Sequence, residues 1–356
     1  MIEFVGVGKR YPDGTVAVDN LDLRIESGQF TVFVGPSGCG KTTSMRMINR
    51  MIEPTSGAVK VDGRDVADAD PVRLRRGIGY VIQSGGLLPH RTVVDNVATV
   101  PVLNGMSRKA ARHAALDVLE RVGLDTALAK RYPAQLSGGQ QQRVGVARAL
   151  AADPPILLLD EPFSAVDPVV REELQAEMQR LQAQLHKTIV FVTHDIDEAV
   201  KLGDKLAVFG PGGVLQQYDS PQQVLTSPAT AFVADFVGRD RGYRGLSFRS
   251  AEGLTLRPLI IAKQDGLADV RLAHGEWALV VDSAGAPHGW VDWAGNRFAG
   301  GSVFRRGGDL RQALDSAISS PSGLGIAVDE NGTVIGGFDA GDVIALLTDL
   351  RRRDQR

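Results

Sequence analysis

The chain has 356 residues, 43% of them hydrophobic, which suits two domains with buried cores. Lys+Arg 40 against Asp+Glu 42 leaves a net charge of -2, which excludes a global attraction to nucleic acid, and a single cysteine excludes an intrachain disulfide. No basic stretch followed by a long apolar run opens the chain, and no apolar run approaches the roughly 20 residues of a membrane span. The expectation is a cytosolic protein that meets a membrane only through a partner.

Residues 2 to 25 alternate short apolar strands about Pro12-Asp13-Gly14, which predicts a hairpin. Tyr11, just before the turn, reads as an ordinary strand aromatic or as a stacking platform for a base. Phe30 to Val34 is an apolar run suited to a buried strand, followed by Gly35-Pro36-Ser37-Gly38-Cys39-Gly40-Lys41-Thr42-Thr43. Met45, Met47, Ile48, Met51 and Ile52 then recur at helical spacing. Strand, Gly-rich loop and helix in this order make G-x-x-x-x-G-K-[ST] a phosphate-binding loop. The glycines let successive N–H groups point inward, and the helix N-terminus favours an anion. Lys41 would reach the β- and γ-phosphates, and the Thr42 hydroxyl would sit on Mg²⁺. Beside such a loop the stacking reading of Tyr11 is preferred.

Val59 and Val61 predict further strand, and Ile78 to Ile82 is an apolar run that ends at Gln83. From Val93 to Ala152 the pattern is helical, with Gly123 closing one helix and Ser137 placed as the N-cap of another. Ile156 to Leu159 is wholly apolar and stops at Asp160-Glu161. Two carboxylates directly after a buried run are costly unless something at the strand end uses them. Asp160 fits the acidic Mg²⁺ ligand of phosphate-loop NTPases, and Glu161 is placed to polarise an attacking water. Thr188 to Thr193 is another buried strand, ending at His194, whose position suits a γ-phosphate contact. A helix over Ile196 to Leu202, a Pro211-Gly212-Gly213 turn and helix starts at Ser220-Pro221 and Thr230 follow.

Taken together, residues 1 to 240 resemble the ATP-binding subunit of an ABC transporter. Gly35 to Thr42 is similar to the Walker A loop, Ile156 to Asp160 to the Walker B strand with Glu161 as catalytic glutamate, and Leu136 to Gln140 to the LSGGQ signature. Gln83 is similar to the Q-loop, Ser164-Ala165-Val166-Asp167 to the D-loop with Val166 where leucine is usual, His194 to the switch histidine and Tyr11 to the adenine-stacking aromatic. The resemblance implies a second copy paired head to tail, with ATP between one copy's Walker loop and the other's Ser137, Gly138, Gly139 and Gln140. It also implies that Thr42, Gln83 and Asp160 hold Mg²⁺, that Asp167 serves the nucleotide site, and that membrane permease subunits dock around Gln83 and Leu87 to Thr92. Arg10 to Thr15, Met45 to Arg50, Leu136 to Asp153 and Phe191 to Ala199 further resemble importers of glycine betaine, proline, carnitine or choline. That family implies a place on the cytoplasmic face of the inner membrane, bound through the permease, with a substrate-binding protein as an indirect partner and no nucleic-acid partner. An importer of another solute, an amino acid, polyamine or sugar, is the alternative. A soluble repair or translation ATPase fits worse, because the interval from Thr43 to Leu136 is too short for a coiled-coil insertion and there is one cassette.

Beyond residue 240 the composition shifts, and Arg239 to Gly245 reads as a charged linker. Trp277 to Asp282, leading through Gly285 to Gly289-Trp290-Val291-Asp292, is matched by Gly325 to Asp329, leading through Gly332 to Gly336-Gly337-Phe338-Asp339. This internal duplication resembles a pair of CBS modules, with helices over Leu310 to Ile318 and Val343 to Leu350 in the second. Asp292 and Asp339 stand where a nucleotide-binding module tends to carry Ser or Thr, and Asp342 alone matches the later Asp. Nucleotide binding, an ionic-strength response, dimerisation and packing alone all stay open, as does a lipid contact of Arg351-Arg352-Arg353. The fold class expected is α/β: a P-loop NTPase ABC nucleotide-binding domain over 1–240 with a helical subdomain at about 93–152, then a smaller α+β tandem CBS-like domain over 241–356.

Overall fold

The computed structural model describes residues 1–82, 86–164, 166–264 and 270–354, and the chain divides after Gly238 into two units. In the first, strands β1 (Ile2–Arg10), β2 (Val16–Ile25), β4 (Ser56–Val61) and β5 (Arg64–Asp65) form an antiparallel sheet in the order β2-β1-β4-β5. One face of it is buried, through Ile2, Phe4, Val7 and Leu21, and the strands alternate accordingly.

The second sheet runs β10-β9-β3-β8-β7-β6, built from β3 (Phe30–Val34), β6 (Ile78–Val81), β7 (Ile156–Asp160), β8 (Thr188–Thr193), β9 (Lys205–Phe209) and β10 (Leu215–Asp219). All neighbours except β10 and β9 are parallel. Strands β3, β7 and β8 are buried at every position, which is why they read as continuous apolar runs rather than alternating ones. Parallel pairing also places the ends of β3, β8, β7 and β6 along one edge, so the loops that follow them meet there.

The helix Lys41–Ile48 belongs to a core shared with both sheets, with Met45, Met47 and Ile48 fully buried and Phe33 against Phe4 and Phe209. Each such side chain contributes roughly 1.5–3 kcal/mol. The helical spacing of Met51 and Ile52 does not extend this helix. Arg50 adopts a left-handed φ of 54°, and the amides of Met51 and Ile52 return to the Arg46 carbonyl. Ile52 packs on the core while Met51 faces solvent.

Helices over Val93–Val97, Thr99–Leu103, Arg108–Arg121 and Gly138–Leu150 fill the interval before β7. Gly123 takes φ 69° just past the helix Arg108–Arg121, the left-handed position that stops a helix. Helices Pro168–Leu185 and Ile196–Leu202 flank β8 in sequence, and Ser220 and Thr230 N-cap two short closing helices.

The second unit contains a sheet ordered β11-β12-β13-β14, from Ile261–Lys263, Trp277–Val281, Pro287–Asp292 and Arg297–Ala299, and a sheet β15-β16-β17, from Val303–Arg305, Leu324–Val328 and Val334–Asp339. Leu279, Val281 and Trp290 of one sheet pack on Ile326 and Val328 of the other. The repeated strand pairs are therefore real, but the two halves differ. The second half carries helices Leu310–Ser319 and Ala340–Asp354, whereas among the described residues the first carries neither, β13 turning directly into β14. The stretch expected to be a linker is a helical turn over Arg241–Gly245. Tyr243 anchors it, packing on the core around Leu310, donating to Asp315 and lying beneath Arg311.

Candidate functional site

The phosphate loop leaves β3 at Gly35 and closes against β2. A Cβ on Gly40, whose φ is 87°, would lie 2.1 Å from the Ala17 carbonyl oxygen, so only glycine lets the loop seat there. Ala17 follows the turn that carries Tyr11, whose amide donates to the Thr15 carbonyl. The Tyr11 ring is partly exposed and already holds a cation, with Lys9 Nζ 5.4 Å from its centroid. Pro36, Ser37 and Gly38 are exposed at the loop crest, while Thr43 is half-buried.

Lys41 is only 5% exposed, and its ammonium donates to the Gly35 and Pro36 carbonyls, both at 2.7 Å. Its charge is thus satisfied inside its own loop. Cys39 fills the space beneath, with Sγ 3.7 Å from Lys41 Nζ. Burial pushes the thiol up from its ordinary pKa, which makes Cys39 a packing residue rather than a reactive one.

Asp160, at the end of β7 and 3% exposed, is the focus of a polar cluster. Thr42 Oγ1 donates to its Oδ1 at 2.8 Å, Arg46 Nη2 to its Oδ2 at 3.3 Å and Tyr80 Oη to Oδ2 at 3.4 Å, while Arg46 Nε donates to Tyr80 Oη at 3.2 Å. Arg46 and Tyr80 were not singled out from the sequence. The available signal was their placement: Arg46 lies one helical turn beyond Thr42, and Tyr80 sits on β6, the strand next to β7.

The next residue, Glu161, has a left-handed φ of 45°, a sparsely populated conformation for a non-glycine residue that costs of order 1–3 kcal/mol. Its amide donates to the Val192 carbonyl of β8, which ties the strained residue to the strand bearing the histidine. Glu161 Oε2 lies 3.3 Å from Nδ1 of His194, whose side chain is 57% exposed. The structure thus brings Gly35–Thr43, Asp160, Glu161 and His194 to one sheet edge. Gln83 and Ala165 lie outside the described residues.

Ser137–Gln140 is built differently. Ser137 Oγ accepts the Gln140 amide, and Gln140 Oε1 accepts the Ser137 amide, a reciprocal capping box opening the helix Gly138–Leu150. Ser137 and Gly138 are exposed, and a Cβ on Gly139 would lie 2.6 Å from Val170 Cγ1, so the helix start packs closely on that side chain. Asp167 caps the helix Pro168–Leu185 by accepting the Val170 amide. A cavity of about 280 Å³ lies by the helices Val93–Val97, Thr99–Leu103 and Arg108–Arg121, lined by His90, Arg91, Thr92, Asp95, Arg112 and Tyr132 among others. Arg112 holds Asp95 there through two bonds of 2.7 and 2.8 Å.

In the second unit, Asp339 and Asp342 bond each other's amides and open the last helix. Arg257 reaches both carboxylates, Asp342 at 2.6 Å and Asp339 at 3.2 Å. The Asp339 amide, then Arg257, holds the Asp342 carboxyl below the usual carboxylate range.

A parallel sheet in this order, with a phosphate loop after β3, an acidic end on β7 and a helical insertion between β6 and β7, defines an ATP-binding cassette. The profile of the family described as "ABC transporter" matches residues 18–164. The choline transport ATP-binding protein OpuBA of Bacillus subtilis is 44% identical over 299 residues, 82% of this chain and 78% of that protein. The osmoprotectant import ATP-binding protein OsmV of Salmonella typhimurium is 42% identical over 357 residues, 95% of this chain and 92% of that one. The carnitine transport ATP-binding protein OpuCA of Listeria monocytogenes is 50% identical over 68% of this chain, a match spanning 60% of its own length. Among solved structures, the cassette MJ0796, described as a dimeric post-hydrolysis state bound to ADP and Pi, is 35% identical with a TM-score of 0.57, covering 62% of this chain and 99% of that one. The chain belongs to the ABC transporter family, among the ATP-binding subunits of compatible-solute uptake systems.

Proposed function

We propose that this chain hydrolyses ATP to energise import of a compatible solute, glycine betaine, carnitine, choline or proline. The observation that carries the chemistry is the cluster at the ends of β7 and β8: Thr42 on Asp160, and Glu161 beside His194. The cargo rests on the names of the relatives, since no residue of this chain is assigned to touch the solute.

Lys41 would exchange its two loop carbonyls for β- and γ-phosphate oxygens, while backbone N–H groups of the Gly35 to Thr43 loop would cradle the chain of phosphates and Tyr11 would stack on the base. Thr42 and Asp160 suit a magnesium ion. A buried carboxylate and a hydroxyl 2.8 Å apart are hard oxygen donors, and Gln83 joins them by resemblance. Among the described residues no three His, Cys, Asp or Glu gather to cage a metal, so nucleotide oxygens would complete the shell. The chemistry supplied by a bound magnesium is neutralisation of charge on the transferred phosphoryl group. Glu161 orients and deprotonates the attacking water, and His194 donates to the γ-phosphate.

The helix behind Ser137–Gln140 presents its N-terminus outward, which suits the nucleotide of a second copy. Asp167 lies in the turn that would face that copy. The stretch Leu87 to Thr92, of which His90, Arg91 and Thr92 line the cavity by the helix Val93–Val97, is the proposed seat of the permease. Attachment to the cytoplasmic face is proposed to run through that contact; among the described residues no helix is long and apolar enough to cross a membrane. The second unit is proposed as a CBS-like regulatory or dimerisation module. With Asp339 and Asp342 already engaged by Arg257, it is not expected to hold ATP as such modules do.

Glu161→Gln is expected to abolish turnover while retaining ATP binding and to trap an ATP-bound dimer in size exclusion. Hydrolysis by that variant at the parent rate overturns the assignment. Uptake of labelled betaine, carnitine, choline and proline by the assembled transporter decides the cargo, and transport of an amino acid, polyamine or sugar instead overturns the solute class.

A further inference from the structure

One buried carboxylate beside the hydrolytic pair takes no part in the chemistry above. Glu198, on the helix after His194, is 7% exposed, and burial pushes its pKa up. A carboxylate in such a place is costly unless its oxygens are hydrogen-bonded. Here they are. Thr193 Oγ1 donates to Glu198 Oε2 at 2.6 Å and Gln175 Nε2 donates to Oε1 at 3.4 Å. Arg171 Nε lies 3.9 Å from Oε1.

The partners of Glu198 reach two places. On one side, Thr193 Oγ1 also accepts the Asp195 amide at 3.0 Å, so the residues before and after His194 are clamped by a single hydroxyl whose proton is committed to Glu198. His194 in turn meets Glu161 at 3.3 Å. On the other side, Arg171 Nη2 donates to the Val166 carbonyl at 3.2 Å, and Asp167 caps the helix that carries both Arg171 and Gln175. Glu198 therefore lies between the Val166–Asp167 turn, which it meets through an ion pair with Arg171 rather than a hydrogen bond, and the backbone that flanks His194 on both sides.

We propose that Glu198 is a positioning residue, which fixes His194 against Glu161 through Thr193 and ties that placement to the Val166–Asp167 turn through Arg171. The inference rests on the ATPase reading and adds to it a route by which a contact on that turn reaches the hydrolytic pair. Its action runs through the hydroxyl of Thr193.

The test uses the full-length chain and steady-state ATP hydrolysis, with nucleotide affinity and thermal melting measured in parallel. Glu198→Ala and Thr193→Val are each expected to lower kcat about tenfold or more, because misplacing a reacting group by a fraction of an ångström is enough. The KM for ATP stays within about twofold, since the phosphate loop is untouched. Thr193→Ser, which keeps the hydroxyl, restores at least about half of the parent kcat. Arg171→Met lowers kcat in the same direction, and the double variant Thr193→Val with Glu198→Ala is no worse than either alone. If Glu198→Ala does not fold, the Thr193 pair carries the test. A kcat within about twofold of the parent in the Thr193→Val chain, multiplicative losses in the double variant, or a fall in kcat matched by an equal fall in nucleotide-binding protein overturns the proposal. Failure of the underlying reading looks different: the parent chain itself would hydrolyse no ATP, and the inference would fall with it.

Discussion

Asp160 illustrates how much of a functional residue lies in its neighbours. Its place at the end of an apolar strand marks it as a ligand, yet three groups decide its orientation: Thr42 on one oxygen, Arg46 and Tyr80 on the other, with Tyr80 held in turn by Arg46. Burial pushes the Tyr80 phenol up in pKa, so it donates its proton to the carboxylate throughout the physiological range. Tyr80→Phe removes that donor and leaves Arg46 without one of its acceptors. The expected loss is about 1 kcal/mol, a fall in Tm of about 2–4 °C, read by thermal melting. An unchanged Tm would mean that the phenol contributes nothing to the cluster. Cys39 makes the opposite point: its place before a helix suggests reactivity, and burial removes it.

The two strand-pair repeats of the C-terminal unit begin alike and end differently, and the hydrogen bonds after the second strand of each differ with them. After β17, Asp342 meets the Asp339 amide and Asp339 meets the Asp342 amide, a reciprocal cap that starts a helix. After β13, Gly295 stands at the corresponding position with φ 84°, and Asp292 bonds the amides of Ala294 and Asn296, which makes a hairpin turn into β14. The cap has a pH signature. A carboxyl held below its unfolded pKa contributes stability that is present above about pH 4 and lost as pH falls through the lowered value. Asp342→Ala should therefore destabilise the unit at neutral pH and converge with the parent in strong acid. Melting curves between neutral pH and pH 2 check this, and a pH-independent difference would count against it.

The chain divides after Gly238, and among the described residues the core around Phe33, Met45, Leu158 and Phe209 is built from residues before that point. A chain ending at Gly238 is accordingly expected to fold and bind ATP with an affinity within about twofold of the full protein, since every group assigned to the nucleotide site of one copy is retained. Calorimetric titration of the two forms checks it, and loss of binding would assign the second unit a part in the site. Much of this organisation was legible in the residues. Gly35–Thr43, Asp160–Glu161 and His194 each end an apolar run, and runs buried on both faces pair in parallel, which gathers their ends on one edge. Ser137 and Gln140 announce their helix by a spacing of three. Such signals are local: turn chemistry, capping and periodicity act over a few residues and leave a pattern in the chain. The contacts of Arg46 with Asp160, 114 residues apart, and of Glu198 with Gln175 on a different helix leave no such pattern. Nor does the left-handed φ of Glu161, whose amide donates to the Val192 carbonyl of β8. These arise when packed elements bring distant side chains into register, and the register depends on how the whole core fills its volume.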